Sequence, residues 1–314
     1  MQIVITDGFT LNAGDLDWEP LRTFGELKIY DRTATELITE RCKRAEIILT
    51  NKVPFSSETI EQLPGLKLIS VLATGYNVID VKATREKNIT VCNVPAYGTA
   101  SVAQHTIALL LELSNHTGIH TASVKNGDWE KSADWCYTKA PVIEWAGKTM
   151  GIVGLGNIGR QVALIAAALG MKIIYNSSTD KRSGPGTFTD LKTLFAESDV
   201  ISLHCPLKDN AGFVNKNLLQ LMKKTSFLIN TARGQLINEQ DLADALNNNG
   251  IAGAALDVLS KEPPASDNPL LRARNCFITP HHAWMSREAR QRIMDTTVRN
   301  IEAYLKGAPV NVVN

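Results

Sequence analysis

Short apolar runs rich in β-branched residues alternate with amphipathic stretches along the whole chain. In the first third these runs are IVIT (3–6), LKIY (27–30), EIILT (46–50), LKLISVL (66–72) and ITVCNV (89–94). A second series runs TMGIVG (149–154), MKIIYN (171–176), DVISLH (199–204), SFLINT (226–231), IAGAALDV (251–258) and CFITP (276–280). Runs of this kind are typical of parallel strands buried beneath covering helices. The pattern therefore predicts an α/β protein.

A second series of alternating strands and helices begins near residue 149, which predicts two domains. This agrees with a length of 314 residues. A long helix is expected to begin at Ser101, because Ser101 and Gln104 fit a capping box. The last amphipathic stretch, 287–306, is expected to return to the first domain and to complete it. We therefore predict one domain from residues 1–98 and 287–314, and a second from residues 99–286.

The amino-acid composition argues against several classes of binding partner. Lysine and arginine number 33 against 32 acidic residues, so charge gives no reason to expect nucleic acid or an anionic membrane surface. The five cysteines form no C-x-x-C pair for zinc, and their odd number suits a reducing compartment. Neither a secretion signal nor an apolar span of membrane length is apparent. We expect a cytoplasmic protein that binds a small molecule, with no membrane association and no metal.

A glycine-rich loop follows the first strand of the second series. Gly154, Gly156 and Gly159 have G-x-G-x-x-G spacing, with an apolar-faced helix and another strand after them. In that setting the first glycine permits a tight turn, the second lets a pyrophosphate approach the backbone, and the third lets the helix pack on the strand. The N-terminus of the helix offers N–H groups to phosphate. The alternative is a loop whose glycines serve packing alone; the flanking strand and helix favour a dinucleotide site.

The residue at the end of the next strand bears on which dinucleotide binds. A carboxylate there would hydrogen-bond the ribose 2′-hydroxyl of NAD and repel the 2′-phosphate of NADP, but the residue is Asn176. Hydroxyl and cationic groups follow it at Ser177, Ser178, Lys181 and Arg182. These groups are suited to a phosphate, and they are equally explained as a solvated loop. The sequence admits both NAD and NADP.

Three polar segments follow strands of the second series, where an open parallel sheet binds its ligands. Arg233 follows one strand, Asp257 ends the next with Glu262 five residues later, and His281 and His282 follow the last. Alone, each has an ordinary explanation as a surface ion pair, a loop charge, or a capping or packing group. Together, beside a dinucleotide loop, they predict a shared pocket.

This set of side chains suits hydride transfer to a ketone. Such a reaction needs a cation that orients a substrate carboxylate and polarises the carbonyl, and a proton donor for the developing alkoxide. Arginine offers a planar fork for the first task. A histidine beside a carboxylate offers the second, because the negative charge favours the protonated imidazole.

The segments GLGNIGR, NTARGQLIN, LDVLSKEPP and TPHHAW resemble the D-isomer-specific 2-hydroxyacid dehydrogenase family, and the similarity extends along nearly the whole chain. The resemblance implies that Arg233 clamps the substrate, that His281 is the acid/base and that Glu262 is its partner. His282 occupies the variable place after the catalytic histidine. The family implies two Rossmann-like parallel-sheet domains, one flavodoxin-like and one dinucleotide-binding, with a cleft between them, and a homodimer joined through the cofactor domains.

The resemblance also implies further contacts. VLATGYNVID resembles the family's substrate loop, in which backbone N–H groups form an anion nest, and the substrate contacts implied are Thr74, Gly75, Tyr76, Arg233, His281, Trp284 and Trp135. HCPL resembles the loop on the adenine side, and Asp257 matches a position that faces the nicotinamide carboxamide. The cofactor contacts implied are Val102, Gly154, Gly156, Asn157, Ile158, Gly159, Asn176, Ser177, Ser178, Lys181, Cys205, Pro206, Thr231, Ala232 and Asp257.

Within the family the glycerate dehydrogenases and glyoxylate or hydroxypyruvate reductases match best, because Trp284 follows the histidine and ADWCYT resembles the arm of that branch. Trp135 in this arm is expected either to reach the partner subunit's pocket or to serve as an interface or core residue. Glu262 argues against the formate-oxidising branch. Alternatives are a dehydrogenase for another 2-hydroxy acid, such as D-lactate or phosphoglycerate, and a dinucleotide-sensing corepressor. No extension of the kind expected for a regulatory phosphoglycerate dehydrogenase or a corepressor is apparent.

Overall fold

The computed structural model describes residues 1–180 and 184–314. The chain forms two compact units, one from Met1–Gly98 with Met285–Asn314 and the other from Thr99–Trp284. The strands are β1 (Gln2–Ile5), β2 (Glu26–Ile29), β3 (Ile47–Thr50), β4 (Leu68–Val71), β5 (Thr90–Cys92), β6 (Thr149–Val153), β7 (Lys172–Asn176), β8 (Thr187–Phe188), β9 (Val200–Leu203), β10 (Phe227–Asn230), β11 (Gly253–Leu256) and β12 (Cys276–Ile278).

Helices connect and cover these strands. They are α1 (Glu19–Arg22), α2 (Ile38–Cys42), α3 (Ser57–Glu61), α4 (Val81–Glu86), α5 (Thr99–Asn115), α6 (Thr117–Lys125), α7 (Asn157–Ala168), α8 (Leu191–Glu197), α9 (Lys216–Leu219), α10 (Glu239–Asn247) and α11 (Arg287–Leu305). Short 3₁₀ turns lie at Gly8–Thr10, Thr35–Leu37, Gly234–Leu236 and Pro269–Arg272. In the described residues, no helix combines the length and apolar character needed to cross a bilayer.

Both sheets are parallel. The first unit has the strand order β2-β1-β3-β4-β5, and the second has β12-β11-β10-β9-β6-β7-β8. The predicted α/β class with two parallel-sheet domains is thereby confirmed. In the second sheet β6 lies between β7 and β9, so the chain leaves it first to one side and later to the other. Such a switch point opens a crevice at the carboxyl ends of the strands.

Each unit has its own apolar core. The central strands β3, β4, β9, β10 and β11 are buried along their whole length, as expected for strands covered on both faces. In the second unit, one cluster packs under α5 and α7 and a second packs under α8 and α10. Helix α11 belongs to the first unit, where Asn300 Nδ2 donates to Asn93 O at 2.9 Å.

One local expectation was wrong, and one strand was not anticipated. Helix α5 begins at Thr99 rather than Ser101, and the Ser101 hydroxyl donates to Ala283 O at 2.6 Å instead of capping the helix. Strand β8 was not predicted. Its two residues, Thr187 and Phe188, are both exposed, so they carry no alternating or buried apolar pattern that would mark a strand.

Candidate active site

His281 and Glu262 form a close hydrogen-bonded pair. His281 Nδ1 lies 2.6 Å from Glu262 Oε2, and both side chains remain partly exposed. The other oxygen of the carboxylate, Oε1, accepts from Leu259 N–H at 3.1 Å. Both carboxylate oxygens are therefore engaged, and the imidazole is oriented through Nδ1. Among the described residues, His281 makes its side-chain hydrogen bond through Nδ1, which leaves Nε2 for a ligand.

The backbone at His281 is itself constrained. Its φ of +51° lies in the left-handed region, which is unfavourable for most residues with a Cβ but is visited by histidine more often than by bulky side chains. His281 N–H donates to Asp257 O at 2.8 Å and to Thr279 O at 3.0 Å. Asp257 thus holds the histidine segment through its backbone carbonyl.

The carboxylate of Asp257 is buried, with 1% of the residue exposed. Its Oδ1 accepts from the Thr279 hydroxyl at 2.6 Å and from His282 N–H at 3.0 Å, and its Oδ2 accepts from Ala283 N–H at 3.0 Å. These internal bonds give Asp257 a clear local task, which is to hold the loop on both sides of His281. Its predicted contact with the nicotinamide carboxamide stays a prediction.

Arg233 is exposed and lies directly after β10. Its Nη1 donates to Ala232 O at 2.7 Å, and no carboxylate pairs with it among the described residues. The backbone here is tied to the acid segment: a Cβ on Gly234 would lie 1.9 Å from Leu259 C, and Gln235 Nε2 donates to Ser260 O at 2.8 Å. The arginine and glutamate segments therefore pack on one another.

Sheet order explains why the predicted residues converge. Arg233 follows β10, Asp257 follows β11 and His281 follows β12, and these three strands are neighbours in register. Because parallel strands end at the same edge of a sheet, segments that are distant in sequence meet there. The structure brings together the arginine, glutamate, aspartate and histidine segments.

Helix α5 contributes residues that the sequence reasoning missed. His105 Nε2 lies 3.1 Å from Thr279 Oγ1 and 3.5 Å from Asp257 Oδ1, and its ring meets the His282 ring edge-on at 4.7 Å between centroids. Burial lowers the pKa of His105, while the charge of Asp257 raises it and His282 lowers it further. One ligand atom from each of His105, Asp257 and His282 lies within 4.8 Å of the others, but the hydrogen bonds account for this grouping without a metal.

The glycine loop has the features of a phosphate cradle. Gly154 has φ +97°, and a Cβ there would lie 2.6 Å from Cys205 N. A Cβ on Gly159 would lie 2.2 Å from Gly154 O, so this glycine allows the helix to pack closely. Gly156 differs: among the described residues no heavy atom lies within 4 Å of its Cβ position. It precedes α7 without a side-chain cap, which leaves room and N–H donors for a pyrophosphate.

The residues after β7 that were predicted to contact the adenosine half of the cofactor lie only partly within the described residues. Asn176 ends β7, and its Nδ2 donates to Thr189 O at 2.8 Å. The hydroxyl of Ser177 bonds Thr179 O, and Ser178 lies in the same turn. Lys181 and Arg182 lie outside the described residues. Asp180, which the sequence reasoning passed over, accepts from the buried Tyr175 hydroxyl at 2.8 Å and places a carboxylate after β7.

The remaining predicted cofactor contacts lie on elements around the loop. Cys205 approaches Gly154, and burial raises the pKa of its thiol. Pro206 O accepts from Asn210 Nδ2 at 3.2 Å. Thr231 shares a hydrogen bond of 2.9 Å with Thr106 of α5. The others are Val102 on the buried face of α5, Ala232 beside Arg233, and Asn157 and Ile158 in the first turn of α7.

The predicted substrate loop belongs to the first unit and follows β4. Thr74 is held on both sides, since its hydroxyl donates to Val94 O and its carbonyl accepts from Asn93 Nδ2, both at 2.8 Å. Within the described residues, the N–H groups of Gly75 and Tyr76 donate no hydrogen bond. Of the two predicted tryptophans in the second unit, Trp284 is half-buried and Trp135 is 86% exposed.

The chain is similar to several known proteins. Residues 107–283 match the profile of the D-isomer specific 2-hydroxyacid dehydrogenase NAD binding domain. The chain is 49% identical to a hydroxypyruvate reductase from Blautia hydrogenotrophica over 100% of both chains. It is 43% identical to a glycerate dehydrogenase from Methylorubrum extorquens over 92% of each. A solved acyclic imino acid reductase in complex with NADPH and D-Arg aligns with TM-score 0.86 and 32% identity over 100% of both chains.

The family match covers the segment that contains the glycine loop, the arginine, both acids and the histidine pair. The similarity to the two relatives extends through the rest of the chain as well. The chain belongs to the D-isomer specific 2-hydroxyacid dehydrogenase family and is an oxidoreductase that acts, with a nicotinamide dinucleotide, on the CH–OH group of a 2-hydroxy acid.

Proposed function

We propose that the protein interconverts a short 2-keto acid, such as hydroxypyruvate or glyoxylate, and the corresponding D-2-hydroxy acid, as a glycerate dehydrogenase or hydroxypyruvate reductase. The observation that carries this proposal is the contact of 2.6 Å between His281 Nδ1 and Glu262 Oε2 at the sheet edge that also bears Arg233. The names of the two relatives support the choice of substrate class.

In the direction of reduction, the bound nicotinamide dinucleotide supplies the hydride. His281 donates a proton from Nε2 to the substrate oxygen, which becomes the hydroxyl group. Glu262 accepts a hydrogen bond from Nδ1–H, which orients the ring and stabilises its charged form before the proton leaves. Arg233 offers guanidinium N–H groups to the substrate carboxylate and carbonyl, since a planar guanidinium can form two parallel hydrogen bonds to such a group.

Roles are also proposed for the remaining predicted residues. The N–H groups of Gly75 and Tyr76 are assigned to the substrate carboxylate, because they are unused within the described residues and paired N–H groups bind small anions. Thr74 holds that loop, and Trp284 is assigned to the substrate pocket. Asp257 is assigned to the carboxamide of the cofactor in addition to its structural bonds.

A steady-state panel tests the substrate and the cofactor together. Glyoxylate, hydroxypyruvate, pyruvate and phosphohydroxypyruvate are each assayed with NADH and with NADPH. We expect the highest kcat/KM for hydroxypyruvate or glyoxylate. A preference for pyruvate or the phosphorylated acid would replace the proposed substrate within the family. Cofactor binding without turnover of any 2-keto acid would contradict the proposal and favour the dinucleotide-sensing alternative.

The cofactor is proposed to be NAD or NADP, held at the glycine loop. Gly156→Ala tests this placement, because its Cβ would meet open space in the described chain but would occupy the path of the pyrophosphate. We expect an unchanged Tm and a cofactor Kd raised by about tenfold or more. Gly65→Ala, whose nearest heavy atom is 3.9 Å away, is the matched control. Equal affinity in the two variants would remove Gly156 from the cofactor site.

We further propose a homodimer joined through the cofactor domain and a cytoplasmic location. The second unit exposes several large apolar side chains, of which Trp135 is 86% and Val142 58% exposed, and a dimer contact on this unit would remove such side chains from water. All five cysteines are free thiols, which suits a reducing compartment. Light scattering on the purified protein should give twice the mass of one chain; a monomer at micromolar concentration would refute the dimer.

A further inference from the structure

Helix α5 is hydrogen-bonded to both catalytic segments of the second unit. Ser101 donates to Ala283 O at 2.6 Å, and His105 bonds Thr279 at 3.1 Å, so two successive turns of the helix reach the segment that contains His281. Thr106 bonds Thr231, two residues before Arg233, at 2.9 Å. One rigid element therefore fixes segments that are more than forty residues apart in sequence.

The hydrogen-bond directions at His105 are determined by its partner. The Thr279 hydroxyl has a single hydrogen, which it donates to Asp257 Oδ1 at 2.6 Å. In its contact with His105 the Thr279 oxygen must therefore accept, so His105 Nε2 carries the proton. Burial keeps the pKa of His105 low, which leaves a neutral ring protonated at Nε2. His105 therefore donates to Thr279, and Thr279 donates to the buried carboxylate of Asp257.

Asp257, the last acceptor in this series of hydrogen bonds, holds the backbone of His281. Asp257 accepts N–H groups from His282 and Ala283 through its carboxylate and from His281 through its carbonyl. His281 has φ +51°, a region that is unfavourable for a residue with a Cβ, so this conformation persists only where its surroundings hold it. Without the His105 donor, Thr279 would be oriented by its bond to Asp257 alone, which would loosen this hold.

We propose that His105 is a positioning residue for His281: its Nε2–H orients Thr279, which orients Asp257, which fixes the left-handed turn that aims the imidazole at Glu262 and the substrate. His105 does not touch the reacting atoms in this scheme. The inference rests on the proposed function, because the consequence of misplacing His281 is measured as turnover. It assigns the side chains of His105 and Asp257 to positioning rather than to a metal, and His282 takes part through its backbone N–H.

Two substitutions of His105 distinguish the effect of its N–H donor from the effect of the size of its ring. The amide nitrogen of glutamine lies as many bonds from Cα as Nε2 of histidine, so His105→Gln keeps the donor and His105→Met removes it. Gln104→Met, on the exposed face of the same helix, is the matched control. We expect kcat to fall about tenfold in His105→Met, with little change in cofactor Kd, and to recover in His105→Gln. Thr279→Val should reproduce the loss, and the double variant with His105→Met should add little.

Activity equal to that of Gln104→Met in His105→Met would overturn the proposal, as would a loss in His105→Gln as large as in His105→Met. A wild type without turnover would reject the proposed function instead. In that event crystal structures of the two His105 variants still decide the inference. His105→Met should lose the contact of 2.6 Å between His281 and Glu262, and His105→Gln should keep it; an intact contact in both would refute the positioning role.

Discussion

His281→Ala should lower kcat by about 10²–10⁴-fold, the range in which a positioned general acid contributes to catalysis. The cofactor Kd should stay near that of the wild type, because the glycine loop follows β6 whereas His281 follows β12, at the far edge of the sheet. The expected loss follows from the geometry: Nδ1 is engaged by Glu262 at 2.6 Å, so Nε2 is the ring nitrogen that remains for the substrate. Single-turnover kinetics with saturating NADH or NADPH measure the chemical step directly.

His282→Gln is the matched control for this substitution. The two histidines are adjacent, but the side chain of His282 meets the His105 ring whereas that of His281 pairs with Glu262, and the bond of His282 to Asp257 uses the backbone N–H. We expect a loss of less than about tenfold for His282→Gln. If both variants lost activity equally, or if His281→Ala turned over like the wild type, the assignment of the acid/base to His281 would be wrong.

Gly234→Ala should lower kcat/KM by about 10²-fold, the cost that a displacement near 1 Å imposes on a catalytic arrangement. The added Cβ would lie 1.9 Å from Leu259 C, 2.1 Å from Leu259 O and 2.4 Å from Ser260 N. All three are backbone atoms, so relief requires that the arginine segment move away from the segment that carries Glu262. Arg233 and Glu262 are then separated without a change in either side chain. Steady-state kinetics measure the effect.

The same overpacking should also cost about 1–3 kcal/mol of unfolding free energy, which chemical denaturation can report. Gly65→Ala serves again as the control, since its Cβ would have ordinary space. Assays at a temperature where Gly234→Ala is fully folded separate the loss of activity from the loss of stability. A folded Gly234→Ala variant with the kcat/KM of the wild type would show that the close packing of these segments has no catalytic role.

The strand pattern was sufficient to predict the fold class, because buried parallel strands appear as continuous apolar runs that need no tertiary information. Each run singled out in the sequence contains or overlaps an observed strand. The two failures have a tertiary cause. Strand β8 is an exposed edge pair formed only by its bonds to β7. Ser101 fits a local capping rule but bonds Ala283, which lies 182 residues away.

The candidate site also contains residues that could be expected from the sequence and others that only the structure shows. The pairing of His281 with Glu262 was expected from a resemblance, and the structure contains a hydrogen bond of 2.6 Å between the two side chains. His105 gave no usable signal, because a single histidine among the apolar residues of α5 is indistinguishable from a core residue until its partner Thr279 is known. Asp257 was expected to face the cofactor, and the sequence contained no hint that its carboxylate would hold Thr279, His282 and Ala283.

The most direct test of the account is a crystal structure of the protein with NADH or NADPH and oxamate, an unreactive analogue of a 2-keto acid. We predict that the oxamate carbonyl oxygen lies within hydrogen-bond distance of His281 Nε2, that its carboxylate meets the Arg233 guanidinium, and that the nicotinamide ring lies against it. Well-ordered oxamate bound away from His281 and Arg233, with the cofactor in place, would contradict the central claim that these two side chains serve one reacting centre.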